Sequence, residues 1–126
     1  MQKLQFEASW DKAIAAKDRQ EIERVFFETK NKNTRDILCS PIREAINHKA
    51  ELLVSVLVHN FTDEPLTINH TRFSYKIQGE VLADKVFSLP MLTIPSKMSM
   101  PWTFIFPKDC YILHAPFENG QLEIEI

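Results

Sequence analysis

The chain has 126 residues, with 15 basic and 17 acidic side chains and a formal net charge of −2. This length predicts a single domain that buries enough apolar surface to fold without a disulfide or a metal ion. Glycine is scarce, with 2 residues where an average chain of this length has about nine. The scarcity excludes Gly-rich phosphate loops, the dinucleotide-binding fingerprint and the G-x-S-x-G nucleophile motif, and with them the enzyme classes that need these motifs.

Composition also indicates the compartment and the kind of partner. The N-terminal sequence lacks the apolar core of a secretory signal, and no apolar run approaches the roughly 18 residues of a membrane span. We therefore expect a cytoplasmic protein without direct membrane insertion, in which Cys39 and Cys110 are reduced thiols. No basic run alternates with aromatic residues, so nucleic acid is not an expected partner.

A helix is predicted over about residues 10–30, after a short strand at Lys3–Phe6. Asp18 and Glu21 have the spacing of a capping box, and a bend is predicted near Lys17–Asp18. The side chains that recur at helical spacing on one face are Ile22, Val25, Phe26 and Thr29. We expect this face to cover the protein's own β-sheets, and the alternative is that it docks a partner.

After residue 36 the pattern changes to a period of two, which is typical of β-strands. The clearest strand is Glu51–Asn60, in which three valines point to one side. Further strands are predicted at Ile37–Cys39, Ile42–Ile46, Leu66–Ile68, Phe73–Ile77, Val81–Phe87, Trp102–Phe106 and Leu122–Ile126. Residues 88–99 are predicted to be irregular, because Pro90 and Pro95 do not fit a central strand.

The order of these elements predicts the fold class. One helix over about 10–30 followed by about seven short strands favours a mainly β protein, an immunoglobulin-like antiparallel β-sandwich with an N-terminal α-helix. We expect one domain over 1–126, in which 1–35 form the N-terminal strand and helix and 36–126 form the sandwich. Because no helical pattern follows residue 31, the sequence argues against an α/β fold.

Histidine and cysteine give no strong signal of a catalytic or metal site. The four histidines are scattered, without the H-x-x-x-H or H-E-x-x-H spacing of a helical metal site: His48, His59, His70 and His114. A site at His59 and His70 would need a third ligand from Asp63 or Glu64. Cys110 and His114 would suit a Cys/His hydrolase, but no third group orients them. We expect no enzymatic activity, no metal and no cofactor.

Two features suggest binding to a partner. The stretch Met98–Trp102 is rich in methionine and leads into an aromatic strand, which suits an adaptable surface. Phe61 lies in a predicted turn, where an aromatic side chain is unexpected unless it folds back or meets a partner. The residues that we single out as possible partner contacts are His48, His59, Phe61 and Trp102. The alternative is a small-molecule or carbohydrate-binding β-sandwich that uses Trp102 and nearby aromatic residues.

Several blocks of the sequence resemble the SLAP domain, a family of spore-forming Gram-positive bacteria. The blocks that carry the resemblance are Ser40–Lys49, Leu52–Thr62, Ile94–Pro95 and Met100–Pro107. The most specific parts are the run from Asn47-His48-Lys49 to His59-Asn60-Phe61-Thr62 and the sequence Met100-Pro101-Trp102-Thr103-Phe104. The similarity extends over most of the chain, including the Leu4 to Trp10 segment and the helix that follows it.

The resemblance implies a non-catalytic role in accessory Sec secretion or S-layer assembly, with a protein partner from that machinery. It supplies no catalytic residues. Some members of the family repeat this domain or join it to other segments, whereas this sequence has one copy. A single copy suits binding to one partner, or a homodimer formed through an edge strand.

Overall fold

The computed structural model describes residues 2–32, 34–112 and 120–125, apart from the Met91 side chain. The elements in chain order are β1 (Lys3–Leu4), α1 (Ala8–Ala13), α2 (Ala16–Thr29), β2 (Ile37–Ile46), β3 (Leu52–Asn60), β4 (Leu66–Ile77), β5 (Glu80–Ile94), β6 (Met98–Phe106), a 3-10 turn (Lys108–Cys110) and β7 (Gly120–Glu125). The chain is therefore mainly β with an N-terminal helical segment, as the sequence predicts.

The strands form two sheets. The four-stranded sheet has the order β1-β6-β3-β2, and the three-stranded sheet has the order β5-β4-β7. All neighbouring strands are antiparallel except β1 and β6, which are parallel. The edges of the sheets are therefore β1 and β2 in the first, and β5 and β7 in the second.

One apolar core lies between the two sheets. The four-stranded sheet contributes the alternate residues of β3 and β6, including the three valines of the predicted β3 face, Phe104 and Phe106. The three-stranded sheet contributes Phe73, Phe87 and Leu122. The Phe87 ring centroid lies 5.2 Å from that of Phe104 and 5.4 Å from that of Phe106, both nearly perpendicular. This edge-to-face packing adds about 1 kcal/mol per pair to the burial of these rings.

The N-terminal helices cover the outer face of the four-stranded sheet. The predicted inward residues Ile22, Val25 and Phe26 of α2 are buried against Leu57. Because successive residues of a strand point to opposite faces, Leu57 faces the helix while its neighbours in β3 face the core. The expectation that the helix packs on the protein's own sheet is confirmed.

The prediction of one helix over about 10–30 is wrong in detail, because two helices occupy this segment. Ile14 and Ala15 are extended, with ψ of 135° and 150°, and separate α1 from α2. The bend therefore precedes the predicted position at Lys17–Asp18. Asp18 does not cap α2, which begins after Ala15, but lies in its first turn and accepts a hydrogen bond from Arg43.

The strands that contain prolines also differ from the prediction. Residues 88–94 are not irregular, since β5 continues through Pro90 to Ile94. Proline lacks the N–H that pairs with a neighbouring strand, and β5 is an edge strand, where one side of the main chain needs no partner. In β2, the two predicted strands are one strand with an irregularity between Pro41 and Arg43, also at a sheet edge.

The outer face of the three-stranded sheet is charged. Arg72 on β4 forms an ion pair with Asp84 on β5 at 3.1 Å, and Lys76 pairs with Glu123 on β7 at 3.1 Å. Leu122 is buried whereas Glu123 and Glu125 are exposed, which confirms the predicted alternation in β7. This face therefore presents polar groups to solvent, unlike the face under the helices.

Gly120 is required by close packing. A methyl group at this position would overlap the ring and hydroxyl of Tyr75, which is buried. We expect Gly120→Ala to lower the free energy of unfolding by about 3 kcal/mol in urea denaturation, because a buried ring must move. Gly79→Ala is the control: a methyl group there meets open space, and the cost is the backbone strain of φ +82°, about 1 kcal/mol. Equal losses would contradict the steric explanation.

Candidate functional site

A groove lies on the outer face of the four-stranded sheet, beside the junction of α1 and α2. It has a volume of about 630 Å³. Its lining includes apolar side chains from both helices and from the sheet: Trp10, Ala13, Ile14, Ile22, Ile42 and Leu53. We call it the outer-face groove. Since α2 covers only part of this sheet face, the groove leaves apolar side chains of the fold accessible.

The two charged groups of the outer-face groove are paired with each other, and so are the hydroxyls that two strands of the sheet contribute. Ser55 Oγ and Thr103 Oγ1 on neighbouring strands lie 2.8 Å apart. At one side, the Arg43 guanidinium donates to Asp18 Oδ1 at 2.8 Å. The groove therefore holds no uncompensated charge among its described lining residues, and its chemistry suits the apolar side chains of a partner.

Behind the C-terminal end of α2 lies a buried histidine, His59, with 1% of its surface exposed. Its Nδ1 lies 2.6 Å from Ser99 Oγ on β6. Its Nε2 lies 2.9 Å from Thr29 Oγ1 on α2 and 3.0 Å from Ser40 Oγ on β2. One imidazole thus joins α2, β2, β3 and β6.

The surrounding hydrogen-bond donors and acceptors determine which nitrogen of the His59 ring carries a proton. Thr29 Oγ1 donates to the Val25 carbonyl oxygen at 2.6 Å, so it accepts the hydrogen bond that the N–H of His59 Nε2 donates. Gln2 Nε2 donates to Ser99 Oγ at 3.0 Å, which leaves the Ser99 hydroxyl free to donate to His59 Nδ1. A neutral imidazole protonated on Nε2 satisfies every contact, whereas an imidazolium would require the Ser99 hydroxyl to turn its own proton away from Nδ1.

Burial lowers the pKa of His59 to about 4, and the positive charge of Lys32 adds to the effect. At neutral pH the ring is uncharged and a weak base. The Ser40–His59–Ser99 arrangement has the outline of a hydroxyl–imidazole relay, but a general base works best with a pKa near the operating pH. Because the contacts of His59 join Thr29 of α2 to Ser40 and Ser99 of the sheet, we assign these side chains to holding α2 on the sheet.

The predicted contact residues His48, His59 and Phe61 do not form one surface. Phe61 is 4% exposed, and its ring stacks on His59 with centroids 5.0 Å apart. The aromatic side chain of this turn therefore folds back onto the protein. His48 is exposed in the turn before β3, whereas His59 and Phe61 lie at the opposite end of that strand.

Trp102 lies on β6 and is partly buried against the core. Its ring stacks on Trp10 of α1 with centroids 6.1 Å apart and an interplanar angle of 26°. One face of the indole is therefore occupied by another residue of the same chain. A carbohydrate-binding platform needs an open aromatic face, and the next aromatic residues of the strand, Phe104 and Phe106, are fully buried.

Asn60, beside His59, is a further buried polar residue that the pattern of the sequence does not single out. It is fully buried, and its Nδ2 donates to the carbonyl oxygens of Glu64, Ile94 and Pro95 at 2.8 to 3.2 Å. Its Oδ1 accepts from the N–H of Thr62 at 3.0 Å and from the hydroxyl of Thr62 at 2.6 Å. One amide thus fixes the turn after β3 and joins it to the end of β5.

The structure describes some of the residues that were considered for cysteine chemistry or metal binding. Burial raises the pKa of the Cys39 thiol to about 12, which makes it unreactive. Cys110 is partly buried, and the proposed partner His114 lies outside the described residues. No three His, Cys, Asp or Glu side chains within 2–32, 34–112 and 120–125 are grouped as metal ligands.

No helix within the described parts of the chain is long and apolar enough to span a membrane. Comparison with curated proteins and with solved structures found no match. Comparison with family models found the SLAP domain over residues 4–124, which include both helices, the outer-face groove, and His59 with the three hydroxyl groups around it. Since this match covers nearly the whole chain, the protein belongs to the SLAP domain family.

Proposed function

We propose that this chain is a non-catalytic protein-interaction module of accessory Sec secretion or S-layer assembly. It acts in the cytoplasm on a protein partner from that machinery, and it needs neither a metal nor a cofactor. The observation that carries the proposal is membership of the SLAP domain family over residues 4–124.

The surface of the protein supports this proposal. The outer-face groove is lined mostly by apolar side chains and pairs its own polar groups, as a docking surface for apolar side chains does. The opposite face, on the three-stranded sheet, carries ion pairs between neighbouring strands. The fold that we infer for the module is an immunoglobulin-like β-sandwich, in which this groove lies outside the core on the helix-covered side.

Affinity capture with an Ala45→Asp variant tests the proposal. Ala45 is exposed and lines the outer-face groove, so a carboxylate there disfavours an apolar partner without disturbing the core. We expect the wild-type chain to enrich a secretion ATPase or an S-layer precursor from native lysate at least tenfold over the variant. Val86→Asp, on the edge strand β5 of the other sheet, is the matched control and should capture as wild type does.

One result would contradict the proposal, namely that the wild type captures no secretion or S-layer protein beyond the level seen with an unrelated β-protein of similar charge. Equal capture of such a protein by the wild type and by Ala45→Asp would leave the proposal standing and would contradict docking through the outer-face groove.

A further inference from the structure

A cleft of about 940 Å³ lies between β7 and the side formed by β2 and α2. Both strands β2 and β7 are edges of their sheets, so within residues 2–32, 34–112 and 120–125 neither has a hydrogen-bonded neighbouring strand on this side. Its apolar lining includes Val25 of α2, Ile37 and Leu38 of β2, and Ile124 of β7. The side opposite β7 carries both signs of charge, from Arg24, Lys32 and Arg35 and from Glu28 and Asp36, and Arg24 is paired with Glu28. An unpaired edge strand offers main-chain N–H and C=O groups to another extended chain.

The hydrogen bonds of the Gln121 side chain show which way the main-chain N–H and C=O groups of β7 point. Its Nε2 donates to the carbonyl oxygens of Cys39 on β2 at 2.6 Å and of Leu122 at 3.2 Å. The Leu122 carbonyl therefore points toward β2 and away from β4. Because alternate residues of an antiparallel strand point their main-chain groups to the same edge, Ile124 presents both its N–H and its C=O to the cleft. No described residue bonds to either group.

Charge alternates from strand to strand across the outer face of the three-stranded sheet. β5 contributes Asp84, β4 contributes Arg72 and Lys76, and β7 contributes Glu123 and Glu125. An ion pair at 3.1 Å joins Asp84 of β5 to Arg72 of β4, and another at 3.1 Å joins Lys76 of β4 to Glu123 of β7. Opposite charges on neighbouring strands stabilise a sheet, and like charges destabilise it. The next strand in this series should therefore be positive on this face.

We propose that the free edge of β7 binds an extended segment of a protein partner whose side chains alternate between apolar and basic. The main chain of the segment pairs with Ile124. Its basic side chains lie beside Glu123 and Glu125, and its apolar side chains enter the cleft between the sheets. This inference rests on the proposed function in one respect only, since both require a protein partner.

A second copy of this chain fits the same edge less well. The outward residues of β7 are Gln121, Glu123 and Glu125. Pairing of β7 with its own copy would set two acidic rows side by side, with repulsion in place of attraction. The charge pattern thus favours a different chain over the homodimer.

Binding of two synthetic peptides measures this preference. One has the sequence Val-Lys-Val-Lys-Val-Lys-Val and the other has glutamate in place of each lysine. In fluorescence anisotropy at low salt, we expect the lysine peptide to bind at least tenfold more tightly. The ratio should fall below about threefold in the double variant Glu123→Gln/Glu125→Gln and as salt rises. Asp84→Asn, which removes an acid from the far edge of the same face, is the control and should keep the tenfold ratio.

Alternately N-methylated peptides test the pairing without any change to the protein. A methyl group blocks a backbone N–H, and in a paired strand only every second N–H faces the neighbour. Of two lysine peptides methylated at alternate positions, one should lose at least tenfold in affinity and the other should keep its affinity.

Four results would overturn the proposal. The lysine peptide could fail to bind, both methylated peptides could bind alike, or the glutamate peptide could bind equally well. The fourth is a concentration-dependent dimer in light scattering that excludes the peptide. Such a dimer would show that a second copy of the chain occupies the edge of β7. None of these outcomes bears on capture through the outer-face groove, so the proposed function is tested separately by affinity capture.

Discussion

We expect the free energy of unfolding to fall by about 3 kcal/mol between pH 7 and pH 4 because of His59. Its pKa is about 4 in the folded protein and near the ordinary 6.5 when the chain is unfolded. Between these values the unfolded chain binds the proton and the folded protein does not. The stabilisation is therefore complete above pH 6.5 and is lost as the pH falls toward 4.

The surroundings of His59 explain why the folded protein does not accept the proton. The groups that contact its nitrogens are the hydroxyls of Thr29, Ser40 and Ser99, none of which carries a negative charge. The charge that acts on it is the positive one of Lys32. An imidazolium in this place would be buried without a counter-ion, which is costly.

Urea denaturation at pH 7, 6, 5 and 4 measures the effect. In His59→Gln the pH dependence between 6.5 and 4 should become flatter by about 3 kcal/mol, because the titrating group is gone. This variant should also lose about 2 kcal/mol at pH 7, since Ser99 then lacks its acceptor. His48→Gln, which changes an exposed histidine in the turn before β3, should keep the wild-type dependence. A steep acid loss in His59→Gln would contradict the assignment.

Some elements could be predicted from sequence because local pattern decides them. The alternation in Leu52–Val58 and Leu122–Glu125 follows from burial of one face, and the structure buries those faces. The break between α1 and α2 has no such signal, because Ala13 and Ala15 favour helix. It accompanies tertiary contacts: Trp10 stacks on Trp102, and Arg19 on α2 pairs with Asp11 on α1 at 2.7 Å.

The long strand β5 shows a second limit. A proline excludes a central strand but not an edge strand, and the order of strands in the sheet decides which of these a segment becomes. Sequence spacing does not give that order. The sequence alone therefore predicts a break at Pro90, whereas this residue lies within a strand whose outer side needs no partner.

The buried cluster could not be predicted for a related reason. His59 ends a strand, a place that suggests a surface histidine, and its partners Thr29 and Ser99 lie 30 and 40 positions away in the sequence. No spacing rule connects residues so far apart. The turn after β3 was more accessible to prediction, since Asn60, Asp63 and Pro65 are residue types that favour turns. The folding back of Phe61 was one of the two explanations that the sequence allowed.

Loss of the Asn60 side chain is the second large effect that we expect. Asn60→Ala should lower the free energy of unfolding by about 3 kcal/mol, because it removes a fully buried amide that donates to three carbonyl oxygens and accepts from Thr62. The turn from Phe61 to Pro65 should open first, so the amide of Thr62 should lose protection in hydrogen exchange.

Asn60→Asp separates the hydrogen bonds from the shape of the side chain. The carboxylate has nearly the same volume, but it cannot donate to the carbonyl oxygens of Glu64, Ile94 and Pro95 and would be repelled by them. We expect a loss at pH 7 at least as large as that of Asn60→Ala. The matched control is Asn69→Ala: Asn69 also precedes a threonine by two residues, but it is exposed, and the bonds there join Thr71 to its backbone. That variant should stay within about 0.5 kcal/mol of wild type. If both alanine variants were equally stable, the buried amide would not be what holds this turn on the sheets.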